Sequence, residues 1–216
     1  MRPLLILVLI VLFQITPVGC SHASESVGQD RSHVAETPRA LCSDSGVFDV
    51  AVAQRMRDEL GQRTLSRERV LEVTKALEHG VLQCSGSLEP PNVEMVGALY
   101  VSLGNQFLSE KDYSRAKGVF EAADRYYSGF AFPSLMWLEA LRGVARSDVR
   151  LGDLQAADAV ASRQTELARS WVDGQRFVRD ILVDALRFEA EVSNAEKQSA
   201  KASALMSEAE RLESPK

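Results

Sequence analysis

The sequence predicts an all-α protein built of antiparallel helix hairpins, with about eight helices in total. Three observations support this. Between Tyr100 and Ala123, small and bulky residues recur at the offsets that let one pair of short helices nest against another: Tyr100, Leu103, Gly104, Phe107, Ala116, Phe120 and Ala123. No stretch alternates apolar and polar residues at a period of two, so no sheet is expected. Glycine and proline punctuate the chain at spacings that suit helix ends. Small residues where backbones must approach, with bulky ones between them, describe a packing unit rather than a catalytic site.

The elements follow in order. Val47 to Leu60 reads as a helix stopped by Gly61, and Ser66 to His79 as one stopped by Gly80. Glu89-Pro90-Pro91 is a rigid break, with Pro91 suited to open the next helix. Val93 to Leu108 and Asp112 to Tyr127 form one hairpin; Ser134 to Leu151 and Asp153 to Val172 form a second, turning at Gly152. Phe177 to Val192 comes next. Ser193-Asn194-Ala195-Glu196 then matches a capping box that opens the last helix. The alternative is one uninterrupted helix from about Gln175 to Leu212. A third pair would pack through Ala185 and Phe188 on one helix and Ala202, Met206 and Ala209 on the next.

The first hairpin resembles the tetratricopeptide repeat (TPR). With the unit starting at Gly97, Tyr100 takes the slot usually held by Trp, Leu103-Gly104 the Leu-Gly pair and Phe107 the following aromatic. Asp112-Tyr113 opens the second helix, and Ala116, Phe120 and Ala123 complete it. Ser128 stands where the family usually has Pro, with Gly129 beside it. A second unit appears 41 residues on (144 − 103), where Val144-Ala145 falls on Leu103-Gly104 and Ala157 on Ala116. The family period is about 34, so extra residues lie around Tyr127 to Pro133. Asp148, Ala161 and Gln164 replace Phe107, Phe120 and Ala123 in this copy. The resemblance implies a TPR-like α-solenoid in residues 93–216, preceded by an N-terminal helical cap in residues 42–92. It also implies a protein that grips other proteins and catalyses nothing.

The chain opens like an exported one. Arg2 precedes a run of twelve residues, Leu4 to Ile15, apolar except for Gln14, and Pro17 breaks it. Such a run is too short to span a bilayer core of roughly 30 Å as a helix. Val18-Gly19-Cys20 resembles the lipobox of bacterial lipoproteins. That resemblance implies cleavage of residues 1–19 and a diacylglycerol on the Cys20 thiol. The competing cut falls after Ser21-His22-Ala23 and releases a soluble protein. Ser21 rather than Asp after the lipid site resembles the outer-membrane sorting pattern of enteric lipoproteins. Residues 20–41 are polar and poor in large apolar groups, which reads as a flexible tether. Either cut leaves Cys42 and Cys84, an even pair that favours a disulfide in an exported chain. Closing that loop would stabilise the fold by ~4 kcal/mol in the chain-entropy model.

Composition and motifs narrow the function. The net charge of −5 becomes −6 when Arg2 leaves with the signal, so nothing electrostatic points to nucleic acid. There is no glycine-rich phosphate loop, no Gly-x-Ser-x-Gly elbow and no His-Glu-x-x-His. No cofactor or metal is implied: Cys42 and Cys84 lack zinc spacing, and His22, His33 and His79 are scattered, His79 at an expected helix end. Carboxylates such as Asp58-Glu59, Glu208 and Glu210 fall on faces that helical periodicity gives to solvent.

One polar pattern stands out. Arg142, Arg146 and Arg150 recur every four residues along one helix. Three like charges on a face repel by ~0.2–0.5 kcal/mol per neighbouring pair, which Glu139, Asp148 or Asp153 could neutralise. In the repeat frame Arg142 and Arg146 match positions lining the family's groove, Arg150 lies close by, and Val101 and Asn105 are the counterparts in the first unit. The resemblance therefore implies a groove accepting an acidic segment or free C-terminus of another envelope or secreted protein. The expected role is a periplasmic scaffold or assembly factor held to the outer membrane by its N-terminal lipid. An immunity protein sequestering a toxin is a second binding role. A wall- or lipid-modifying enzyme, or a spacer self-associating through Leu182, Leu186 and Ala190, belongs to other classes.

Overall fold

A computed structural model describes residues 41–42, 48–61, 65–84, 90–130, 133–171 and 176–214, all within one compact unit, Glu36–Lys216. The export signal, Cys20, both cleavage sites and residues 20–40 of the tether lie outside the described residues; its last residue, Leu41, is not tether but core, buried and accepting the Asp49 N–H at 2.8 Å. Among the described residues there are eight helices and no strand: α1 (Val50–Leu60), α2 (Arg67–Cys84), α3 (Pro90–Ser109), α4 (Tyr113–Ser128), α5 (Leu135–Leu151), α6 (Leu154–Ser170), α7 (Arg176–Ala195) and α8 (Ser199–Glu213). The expected fold class and helix number are both observed. From α3 onward each helix packs on the next in the chain, while α1 and α2 lie against α3.

Local chemistry sets most boundaries. Asp49, Asp112, Ser134 and Asp153 each accept a hydrogen bond from the backbone N–H three residues on, capping α1, α4, α5 and α6. The α3–α4, α5–α6 and α7–α8 turns share one design. Lys111, Gly152 and Lys197 take left-handed φ values of 61°, 84° and 66°. The next residue in each turn donates its N–H to a carbonyl five back: Asp112 to Phe107, Asp153 to Asp148 and Gln198 to Ser193. This is the Schellman arrangement, and it folds each helix back on its predecessor. Counted from these turns, Ala116, Ala157 and Ala202 are equivalent and all buried, so the hairpins α3–α4, α5–α6 and α7–α8 share one turn and one buried alanine position.

Four expectations are corrected. α2 runs through Gly80 to Cys84, placing His79 inside the helix. One glycine in a helix costs about 1 kcal/mol relative to alanine. Buried Cys84 lies with its Cα 6.1 Å from that of Cys42, the separation of a disulfide, and anchors the extra turn. Ser193 caps nothing: it is buried within α7, its hydroxyl donates to Asp158 Oδ1 at 2.7 Å, and α8 starts only at Ser199. The uninterrupted helix is equally excluded, because the Lys197 turn separates α7 from α8. Leu182, Leu186 and Ala190 are not a free face for self-association, being buried against Ala202 and Leu205 of α8.

The core of the first hairpin turns on two rings of α4. A Cβ built on Gly104 of α3 would sit 2.6 Å from the Phe120 ring, and one on Gly143 of α5 would sit 2.5 Å from it. Phe120 is thus clasped between two helices that approach only because neither carries a side chain there. One helical repeat along, a Cβ on Gly97 would collide with Tyr127, and Tyr127 stacks on Trp137 at 6.4 Å. In the second hairpin the sizes are exchanged: Ala161 replaces Phe120, and Phe188 on α7 occupies the place of Gly143, within one apolar cluster. Met206, the third equivalent, is exposed rather than core, since among the described residues no further helix packs beyond α8.

Overpacking this clasp should be costly. Gly143→Ala is expected to destabilise the fold by ~1–3 kcal/mol in urea unfolding, and much less in a Phe120→Leu background; additive costs would show that the two sites are not in contact. Alkaline pH should act in one direction. Burial pushes the Tyr100 phenol up to about 12, with Glu78 adding to it, and raises Tyr126 and Tyr127 as well. The unfolded phenols ionise near pH ~10, so stability should be complete below that value and fall as pH rises through the folded-state range. Denaturation midpoints measured from pH 9 upward test the sign.

Candidate partner-binding groove

The repeated turns bring the C-terminal ends of α3, α5 and α7 to one side of the molecule. Between them lies a cleft of about 560 Å³. Its floor is apolar, with Val149 of α5 and Phe188 and Val192 of α7, and Leu108 closes the α3 side. Its charges come from Lys111 in the first turn, Arg146 and Arg150 on α5, and Glu191 on α7. Three cations face one carboxylate, in a chain whose overall balance is acidic.

The structure separates the sequence-predicted residues. Arg146 and Arg150 are exposed and line the cleft, and among the described residues neither forms an ion pair. The Arg146 guanidinium lies 5.7 Å from the centre of the Phe188 ring. Arg142 sits over the same ring at 5.2 Å but is only 12% exposed, paired with Asp184 of α7 and with Glu139 at 3.5 Å. It is therefore a structural tie between α5 and α7. Val101 does not line the groove, because it is buried in the apolar cluster beneath α3. Asn105 is exposed one turn before Ser109, and only Ser109 reaches the lining.

The expected neutralisation of the arginine stripe is met only by Glu139. Asp148 is 1% exposed and accepts a 2.6 Å bond from Lys117 of α4, while Asp153 caps α6. The Lys117 ammonium is held above its usual pKa by that bond to Asp148. Arg150 stands in the last turn of α5, where the negative end of the helix dipole favours a cation by ~0.3–1 kcal/mol, whereas Arg146, more than a turn earlier, is left to solvent and to the Phe188 ring. Sequence reasoning missed Phe188, Glu191 and Lys111. Phe188 was legible only as a core residue, because its exchange of size with Gly143 needs the neighbouring helix to be known.

Two other polar centres fix the architecture rather than offer a site. Lys201 of α8 donates to Asp158 at 2.7 Å and lies 3.1 Å from the buried Glu189 of α7. Burial pulls its pKa down, but the bonds to Asp158 and Glu189 outweigh this and raise it. Asp124 accepts from Trp137 Nε1 and from both Arg163 terminal nitrogens, tying α4, α5 and α6 together. A second slot of about 390 Å³ between α2, α3 and α4 is mainly apolar; its Arg115 stacks on Phe107 and pairs with Asp112. Among the described residues, no group of His, Cys, Asp or Glu is arranged to hold a metal ion, and no helix is long and apolar enough to cross a membrane. Comparison with protein-family models, curated proteins and solved structures found no match to this chain.

Proposed function

We propose that this chain is a cell-envelope lipoprotein whose helical-repeat domain binds another envelope or secreted protein, as a scaffold or assembly factor. The observation that carries this reading is the cleft between α3, α5 and α7, where Lys111, Arg146 and Arg150 surround an apolar floor. Cations left unpaired on a protein of net charge −5 are available to a ligand of opposite sign. A carboxylate accepts charge-assisted hydrogen bonds from guanidinium groups in a fixed geometry, so an acidic segment or free C-terminus of the partner suits the cleft. The TPR-like spacing of Tyr100, Leu103-Gly104, Ala116 and Phe120 supports a binding rather than catalytic role. The lipobox-like Val18-Gly19-Cys20 supports attachment to the outer membrane, facing the periplasm, through lipid on Cys20.

Affinity capture from envelope extracts, followed by mass spectrometry, identifies the partner. Arg146→Glu is expected to weaken that capture at least about tenfold and to flatten its salt dependence, since an attractive ionic contact becomes repulsive. Unchanged capture and unchanged salt dependence would reject the groove as the binding surface. Cys20→Ala should move the protein from the membrane fraction to the soluble fraction; retention with membranes would reject the lipid anchor.

A further inference from the structure

The groove contains a covered apolar seat. Phe188 lines the cleft yet is 9% exposed, since it packs in one cluster with Ala145, Ala157 and Ala161 and two guanidinium groups lie over its ring. The two guanidiniums differ in how they are held. Arg142 is anchored by Asp184 and Glu139, whereas Arg146 is exposed and has no carboxylate partner among the described residues. Only Arg146 is free to leave. A charge-assisted bond to a carboxylate is stronger than a cation–π contact at an exposed site, so an arriving carboxylate draws Arg146 off the ring. Arg142 stays over the ring, so the part that Arg146 uncovers, bordered by Val149 and Val192, is what presents an apolar surface that water covers poorly.

Building on the groove as a partner-binding surface, we infer that it recognises an acidic residue and a large aliphatic side chain together on one extended segment, with Phe188 as the apolar seat and Arg146 as the residue that uncovers it. Charge complementarity sets the direction of the segment. Arg146 and Arg150 on the α5 wall and Lys111 at the α3–α4 turn attract its carboxylates. Glu191, one turn beyond Phe188 on α7, repels them from the opposite wall. The carboxylate therefore settles toward α5, and the aliphatic neighbour falls on the ring. Specificity comes from coupling: neither group alone gains both contacts.

Three acetylated hexapeptides test this against the full mature chain by isothermal titration, with amide NMR shifts reporting the location. One carries two Glu next to Leu, the second carries two Glu next to Gly, and the third carries two Gln next to Leu. The Glu-Leu peptide should bind about tenfold tighter than the Glu-Gly peptide, the gain from burying one Leu side chain. The Gln-Leu peptide should bind wild-type protein weakly and Arg146→Ala more tightly, because that variant exposes the part of the ring beneath Arg146 without needing a carboxylate. Arg146 is exposed, so the variant keeps the fold, which circular dichroism checks. Equal binding of the two Glu peptides, or no gain for the Gln-Leu peptide with Arg146→Ala, would overturn the coupling while leaving an acidic groove intact. If no peptide binds and no groove amide shifts, the reading of the groove fails with it.

Discussion

The stack depends on the Phe120 ring being held between two glycines. Gly104 and Gly143 bring α3 and α5 against one α4 side chain, and there is no space for even a methyl group at either place. Interiors packed this closely transmit size changes directly to their neighbours. The second hairpin keeps the total volume by exchanging the roles: the residue on α6 shrinks to Ala161 and the following helix supplies Phe188. Volume-conserving exchanges of this kind are the ones cores tolerate best. The consequence reaches the surface, since the ring that fills the core from α7 also borders the groove.

The electrostatics of the groove follow from which charges the architecture consumes. Asp148 is spent on Lys117, Asp124 on Trp137 and Arg163, Asp158 and Glu189 on Lys201, and Asp184 on Arg142. Each of these ties one helix to another. What is left on the α5 stripe is Arg146 and Arg150, of which Arg150 lies in the last turn, where the helix terminus favours a cation. A partly buried Asp148–Lys117 pair is modest as a source of stability. Its clearer effect is to remove from the stripe one of the carboxylates that would otherwise have cancelled it.

How much of this was legible in the sequence depends on the range of the interactions involved. Helix number, the caps at Asp112, Ser134 and Asp153, and the Gly152 turn are decided within a few residues, and all were readable. The small-large spacing of Gly104 and Phe120 was readable because both partners sit in one hairpin. Ser193 was misread because the group that claims its hydroxyl, Asp158, is 35 residues away. Arg142 was misassigned to the groove for the same reason: Asp184, 42 residues on, is invisible to a pattern that scans one helix. Gly80 was given too much weight as a stop, because a glycine's cost is small beside that of releasing a buried, cross-linked Cys84.

The three matching turns carry one more implication. α3, α5 and α7 have 20, 17 and 20 residues, so they differ in length, yet each ends in the same backbone turn. Length differences therefore accumulate at the opposite ends of these helices, away from Lys111, Arg150 and Ala195. The fold has a fixed edge and a free edge: insertions of a turn can be absorbed on one side while the spacing of cations on the other stays constant.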